Sequence, residues 1–383
     1  MTANAAVLAP RLNQARWSVS TVFFINGAGI GLWAVHIPLV ASRFDLSDAT
    51  MGLELLSFAL GAMLAMPLSG WACGQFGSRV VTRTAAFAFA VAIPLPMLVP
   101  YLPLLFAAAL FFGASSGALD VAMNAQASEI ETARGKSTMA SFHGFFSAGG
   151  LAGAALGGLI ISLGLGDGRG AAMAAALAVA LVAVASTSLF ATTASHATAG
   201  HFERPRLAAL SLGLLALTCM VVEGAVADWS ALLLTKHAGA TPAQGAAGYA
   251  AFSIAMAMCR FGGDALITLL GPRRMMVLGG TSIATGLVCA AAFAVPLPAA
   301  AGFVLVGLGA ANVVPVIFAA AGRIPGLPAG AGIAAVATIG YTGFLLGPPL
   351  IGWIASVIGL PAAHCILALA GVFIALFSRT VAR

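Results

Sequence analysis

The sequence predicts an all-α membrane protein, with twelve transmembrane helices in two pseudo-symmetric six-helix bundles. Three observations predict it. Only 7% of the 383 residues are charged and 61% are hydrophobic, whereas a water-facing surface needs about a quarter of its residues charged. Apolar runs of about 20 residues, the length that spans a bilayer as a helix, recur about twelve times, and only helix satisfies the backbone of such runs in lipid. The basic residues then sort to one side. With a cytoplasmic N-terminus, Arg11, Arg16, Arg79, Arg83, Arg134, Lys136, Arg204, Arg206, Arg273, Arg274, Arg323, Arg379 and Arg383 fall inside. Arg43, Arg169 and Lys236 fall outside, and Arg260 lies within a segment. That bias sets the orientation and places both termini in the cytoplasm.

The segments follow in order. The first, about 17–40, opens after Arg11 and Arg16, carries Asn26-Gly27 and ends near His36; it is too long for the apolar stretch of a signal peptide, so it is expected to be retained. The second, about 50–73, has Glu54 near its start, and it leaves through Gly70-Trp-Ala-Cys-Gly74-Gln-Phe-Gly77-Ser-Arg79. His36 and Glu54 both approach the outer face and could pair there. The third is about 80–99. The fourth, about 103–126, contains Gly113, Gly117, Asp120 and Asn124 at one-turn spacing on a single face. The fifth, about 138–163, follows Arg134 and Lys136; it carries His143 and the run Gly149-x-x-x-Gly153-Ala154-x-x-Gly157-Gly158. The sixth, about 170–191, starts at Arg169.

The polar stretch 192–206, with His196 and His201, reads as a cytoplasmic linker between halves 1–191 and 207–383. The seventh segment, about 207–234, contains Glu223 and Asp228, which point about 140° apart on a helix; Glu223 is the deeper, and Asp228 lies beside the interface residue Trp229. The eighth, about 245–269, holds Arg260 and Asp264 and leaves past Gly271, Arg273 and Arg274. The ninth to twelfth are about 275–295, 299–321, 331–356 and 361–379, with Asn312 in the tenth and Tyr341 in the eleventh. A repeat joins the halves: Gly117-Ala-Leu-Asp120-Val matches Gly309-Ala-Ala-Asn312-Val, Asn26-Gly27 matches Glu223-Gly224, and Gly153 and Gly158 match Gly347 and Gly352. Parallel repeats of this kind place a substrate site at the interface of the halves.

An ionisable group inside a membrane helix costs about 2.5–3.5 kcal/mol on insertion scales and is functional by default. Asp120 and Glu223 are therefore the candidate proton-coupling residues, with a structural clasp between helices as the alternative. Asn26, Asn124, His143, Asn312 and Tyr341 are candidate substrate contacts, and Arg79, Arg260, Asp264 and Arg273 candidate gating residues. The five cysteines have neither metal nor disulfide spacing, so no metal and no cofactor is expected. The basic residues are scattered, which argues against a nucleic-acid partner. No nucleotide-binding loop is present, which argues against an ATP-driven pump.

The loop Gly70 to Arg79 resembles the pattern Gly-x-x-x-Asp-x-x-Gly-x-Arg/Lys of the major facilitator superfamily, with Gly74 in place of the acid. Leu119-Asp120-Val-Ala-Met-Asn124-Ala-Gln, Met139-Ala-Ser-Phe-His143-Gly, Glu223-Gly-Ala-Val-Ala-Asp228-Trp229-Ser, Arg260-Phe-Gly-Gly-Asp264 and Gly340-Tyr341-x-Gly343 resemble its MosC-like and YbjJ-like branch. The resemblance implies alternating access by two rocking bundles in a bacterial inner membrane, by a protein that works as a monomer. It also implies a small polyhydroxylated substrate, since the branch is associated with the inositol-amine rhizopine and the related fucose permeases are proton symporters. The leading expectation is a proton symporter importing a small polar, sugar- or cyclitol-like solute. A proton antiporter exporting drug-like compounds stays open, because the glycine run from Gly149 resembles the fifth-helix motif of such antiporters with Ala154 replacing proline. A membrane sensor that does not transport is the third reading.

Overall fold

The computed structural model describes residues 2–46, 48–166, 168–191, 207–240 and 242–382, and the expected linker 192–206, with His196, His201, Arg204 and Arg206, lies outside them, as does Arg383. The elements are α1 (Thr2–Arg43), α2 (Asp48–Phe76), α3 (Ser78–Ala92), α4 (Leu95–Leu98), α5 (Leu102–Arg134), α6 (Met139–Ser162), α7 (Arg169–Ser186), α8 (Leu207–Lys236), α9 (Pro242–Leu270), α10 (Pro272–Ala292), α11 (Pro296–Ala310), α12 (Val313–Ala321), α13 (Ala329–Ile358) and α14 (Leu360–Leu376), followed by a 3-10 turn at Ser378–Ala382. Eleven spans among the described residues are long and apolar enough to cross a membrane, and α14, with 17 residues, is a shorter apolar twelfth.

Two spans are not single helices. The third, Ser78–Leu98, is interrupted between α3 and α4 at Ile93-Pro94. Here the Arg43 guanidinium donates to the carbonyls of Met97, of Pro96 at 3.2 Å and of Val99 at 3.1 Å, satisfying oxygens that the interrupted helix leaves over. The tenth, Pro296–Ala321, was expected as one run over about 299–321. It breaks at Ala311-Asn312, where Asn312 has φ −108° and ψ 0°.

The chain forms two compact units. The first comprises Met1–Lys136, Phe142–Phe202 and Pro325–Ala334; the second comprises Ser137–Ser141, Glu203–Ile324 and Ala335–Arg383. Helices α6 and α13 thus each begin in one unit and continue in the other.

Within the first unit α5 packs along α2 and α3. Small residues set its distance from α2: a Cβ added at Gly113 would lie 1.8 Å from the Phe58 carbonyl oxygen, and one at Gly117 2.5 Å from that of Ala62. The glycine stripe above Asp120 is therefore filled by the backbone of α2. A second seam joins α1 to α6, where a Cβ at Gly149 would meet the Phe24 carbonyl at 2.1 Å and one at Gly153 the Ala28 carbonyl at 2.0 Å. Helices in lipid gain from backbone contact of this kind, where hydrophobic burial offers no driving force between them.

The second unit repeats the scheme. Helix α10 packs on α11 and α14, and α9 on α11. Gly343 and Gly347 of α13 sit against the backbone of α8 at Leu217 and Val221. The repeat extends to turns: Gly77 before α3 has φ 80° and ψ 148°, and Gly271 before α10 has φ 79° and ψ 158°. Both lie in a region that side-chain-bearing residues avoid. Each turn carries an arginine two residues on, Arg79 half-buried and Arg273 exposed.

Candidate substrate and proton site

Each unit holds a cluster of buried polar side chains that contains candidate residues. In the first, Asp120 and Asn124 share a face of α5, where continuous helix stacks residues four apart. The Asn124 amide nitrogen donates to the Asp120 carboxylate oxygen Oδ1 at 3.2 Å and to its main-chain carbonyl at 2.8 Å. The amide oxygen then accepts from His143 Nε2 of α6 at 3.2 Å. All three residues are buried, and the His143 ring stands edge-on to Phe23 of α1. The donors run from His143 through Asn124 to Asp120, so the histidine proton and the carboxylate are electrostatically linked. An amide is not an acid or base at neutral pH, so the link positions charge rather than conducting a proton.

Asn26 of α1 is buried beside this cluster. It accepts from Ser116 Oγ at 3.3 Å and directs its amide nitrogen to the sulfur of Met123 at 3.8 Å, and both partners are on α5. Asn26, Asp120, Asn124 and His143 are thus gathered by α1, α5 and α6 of one unit.

In the second unit Glu223 of α8 faces Arg260 of α9, with Oε2 3.9 Å from Nη2. Its other oxygen accepts from the Cys219 thiol, one turn back, at 3.6 Å. Arg260 was expected among the gating residues. The structure instead buries it beside the candidate proton-coupling acid, and its Nε donates to the Ala311 carbonyl at 3.1 Å. Pro315 explains why that carbonyl is available, since in a continuous helix it would accept from the N–H of residue 315, which proline lacks. Pro315 is visible in the sequence and is the signal that sequence reasoning passed over.

Asn312, at the break, donates to the Cys259 carbonyl and sulfur, each at 3.4 Å. Its Oδ1 is buried without a hydrogen-bond partner and presses on Gly263, where a Cβ would come within 2.0 Å. That packing leaves the oxygen no approach for a ligand from the Gly263 side. Tyr341 of α13 is half-buried, its ring 6.0 Å from that of Phe344, which in turn covers Gly224 next to Glu223.

Asp264 lies one turn beyond Arg260. Its two carboxylate oxygens accept from the main-chain N–H groups of Ala140 at 3.0 Å and Ser141 at 3.2 Å. Those residues are the first turn of α6, where N–H groups have no partner within the helix and a negative charge is favoured. Counted from the turn glycines Gly77 and Gly271, the corresponding place in the first half is Gly70, which has no carboxylate and where a Cβ would lie 2.4 Å from that of Ala334. The expected pairing of His36 with Glu54 does not form. His36 Nδ1 is engaged by the Leu32 carbonyl at 2.8 Å, and neither oxygen of Glu54 has a hydrogen-bond partner. The local backbone acceptor, four residues back on the same helix, holds the imidazole.

Sequence reasoning did not anticipate a further cluster at the base of the first unit. The buried Gln126 amide binds both the N–H of Phe190 (2.9 Å) and its carbonyl (3.0 Å), and it also donates to Ser78 Oγ at 2.6 Å. Ser78 in turn donates to Glu129 at 2.6 Å. This network fixes the chain leaving α7 against the starts of α3 and the end of α5.

Residues 19–234 match the family model described as Major Facilitator Superfamily. The chain is 37% identical over 366 residues to an uncharacterised MFS-type transporter of Yersinia pestis, covering 96% of this chain and 95% of that one. It is 35% identical over 363 residues to the membrane protein MosC of Rhizobium meliloti, covering 94% and 88%. Among solved structures it is similar to the E. coli fucose:proton symporter FucP, with a TM-score of 0.80 at 17% identity, covering 96% of this chain and 98% of that one.

Proposed function

The chain belongs to the Major Facilitator Superfamily, and we propose that this transporter is a proton-coupled symporter. In this reading it imports a small polar solute of the sugar or cyclitol class by alternating access across a bacterial inner membrane, working as a monomer with both termini in the cytoplasm. The observation that carries the reading is the hydrogen-bonded row His143, Asn124, Asp120 buried on α5 and α6. It puts an acid and a titratable base into one unit of a membrane protein, and such groups in spans are by default functional. Asp120 is the acid that takes up and releases the coupled proton. Asn26, Asn124 and His143 offer amide and imidazole groups of the kind that bind hydroxyls.

The second unit contributes in another way. Glu223 stands against the fixed charge of Arg260, so this pair balances its own charge and suits substrate polar groups better than a mobile proton. Asp264 is the gating element, because its hold on the first turn of α6 is one that a change of conformation would have to release. The fold shared with a fucose:proton symporter agrees with a polyhydroxylated substrate. The glycines that resemble the antiporter motif form a packing seam, Gly149 and Gly153 against the backbone of α1, and the second half makes the same kind of seam with Gly343 and Gly347.

The test is uptake into proteoliposomes under an imposed inward proton gradient, across a panel of pentoses, hexoses and inositols. Gradient-driven accumulation that a protonophore abolishes supports the reading. Gradient-driven loss of a preloaded amphiphile, with no sugar or cyclitol accumulated, overturns it in favour of export.

A further inference from the structure

Glu54 lies on α2, outside both polar clusters, and the transport reading does not use it. It is enclosed by protein, 0% exposed, and neither carboxyl oxygen has a hydrogen-bond partner. The other acids buried or half-buried near the clusters are served: Asp120 by Asn124, Glu129 by Ser78, Glu223 by Cys219 and Arg260, Asp264 by two main-chain N–H groups.

The surroundings of Glu54 are apolar on the helices packed against α2. Gly113 of α5 lies against Phe58, and Gly117 against Ala62, a register that brings Glu54, one turn before Phe58, level with Ala109. The buried residues of α5 there are Leu105, Ala108, Ala109 and Phe112, and the Phe112 ring meets Phe58 edge-on at 5.2 Å. Between Leu102 and Leu119 α5 has no titratable side chain, nor has α3 beyond Arg83. On α1 the titratable groups at this end are His36 and Arg43. Arg43 is spent on the carbonyls around α4. His36 is buried and its Nδ1 is engaged by the Leu32 carbonyl at 2.8 Å, while its Nε2 has no hydrogen-bond partner and so does not reach Glu54. Among the described residues no cation bonds to Glu54, and a buried carboxylate without partners is strongly disfavoured against its neutral acid.

We propose that Glu54 is a further proton-binding site, occupied as the neutral acid in the arrangement described here and emptied when that end of the first unit admits water. In the step the carboxyl O–H bond breaks, the electron pair stays on the carboxylate, and the proton passes to water; closure reverses it. By the Lys/Arg bias this end faces outward, so the site takes its proton from outside. Its part in a coupled cycle rests on the symport reading above, whereas its occupancy by a proton does not.

Infrared difference spectroscopy of the full chain reconstituted in phosphatidylcholine vesicles tests it. The expected result is a protonated-carboxyl C=O band near neutral pH that shifts in D2O and is titrated away reversibly as the pH is raised. Glu54→Gln, a neutral near-isostere, removes the band and Asp120→Asn leaves it. Labelling glutamate with 13C at the side-chain carboxyl shifts the same band, a check that needs no variant. A spectrum that Glu54→Gln and the label leave unchanged overturns the proposal, because Glu54 is then ionised. A Glu54 band that neither exchanges in D2O nor titrates overturns it too, because the acid is then sealed and structural. Absence of gradient-driven uptake in the wild-type protein would count against the symport reading alone, since the band is read without substrate.

Discussion

Arg260 Nε donates to the Ala311 carbonyl at 3.1 Å, and that carbonyl is free to accept because Pro315 cannot return the helical hydrogen bond to it. The repeat shows what this does. Asp120 and Asn312 occupy equivalent places in the motif Gly-Ala-x-Asp/Asn-Val, and the residue equivalent to Pro315 is Met123. With methionine there, α5 runs unbroken from Leu102 to Arg134 and stacks Asp120 over Asn124. With proline, the tenth span breaks and exposes a carbonyl that recruits a guanidinium. One sequence frame thus gives an acid site in one half and a cation site in the other.

Replacing Pro315 with alanine is expected to separate stability from function. Pro315→Ala restores an N–H able to bond Ala311, which then competes with Arg260 for the carbonyl. Thermal unfolding in detergent should be unchanged or shifted upward, since alanine supplies a main-chain N–H that can continue the helix across the break. The initial rate of substrate uptake should fall about tenfold, equivalent to about 1.4 kcal/mol in the rate-limiting barrier. A fully active variant would show that the break is incidental.

The Glu223 and Arg260 pair predicts asymmetric mutational costs. Arg260→Ala leaves a buried carboxylate facing only a thiol, and removing one partner of a buried pair destabilises by about 3–5 kcal/mol. Glu223→Gln leaves the guanidinium its Ala311 bond and should lower stability less. The double variant Glu223→Gln/Arg260→Ala should recover part of the loss of Arg260→Ala. Thermal unfolding of the four proteins at one pH checks the cycle, and additive losses would show that the 3.9 Å contact carries no coupling.

Much of this architecture was legible in the sequence because lipid leaves few options: apolar length gives spans, arginine placement gives turns, and the repeated Gly-x-Arg after the second and eighth spans marks the same left-handed turn at Gly77 and Gly271. The grouping of Asp120, Asn124 and His143 was partly legible, since four-residue spacing fixes the first two while the third arrives from another helix. What the sequence hid was competition for partners. His36 and Glu54 look like a pair by proximity to the same end, yet the Leu32 carbonyl takes His36 first. Arg260 and Asp264, one turn apart, look like one gating element. The structure sends Arg260 to Glu223 and Ala311 and Asp264 to the start of α6, because each carries the charge that its own surroundings lack.

The glycine run of α6 gives a paired test of packing against function. A Cβ at Gly153 would stand 2.0 Å from the Ala28 carbonyl oxygen, while nothing lies within 4 Å of one at Gly158. Gly153→Ala is expected to push α1 from α6, costing about 1–3 kcal/mol as an overpacked contact. Gly158→Ala should be silent in both expression and unfolding temperature. If Gly158→Ala abolished transport while Gly153→Ala did not, the run would be a motif of the transport cycle rather than a seam.

Asp264→Ala removes two charge-assisted hydrogen bonds from the first turn of α6. The loss of a helix cap costs about 1–2 kcal/mol. Asp264→Asn keeps an acceptor for one N–H and should lose about half as much. Because their N–H groups bond to the Asp264 carboxylate, the amides of Ala140 and Ser141 should exchange with solvent deuterium about tenfold faster in Asp264→Ala. Equal exchange in variant and wild type would remove Asp264 from the gating set.

Proton coupling at Asp120 can be separated from substrate binding by counterflow, in which labelled substrate exchanges against unlabelled with no net proton movement. Asp120→Asn fixes the residue in a neutral form that still offers an oxygen to the Asn124 amide. Accumulation driven by an inward proton gradient should vanish, while counterflow persists at a rate within about threefold of wild type, a change of about 0.6 kcal/mol. Wild-type uptake should rise as external pH falls, and the variant should lose that dependence. Asn124→Ala makes the opposite cut: it removes the amide that joins His143 to Asp120, so binding and counterflow should weaken together with driven uptake. Driven accumulation surviving in Asp120→Asn would move the coupled proton to another acid and leave the row on α5 and α6 as a substrate contact.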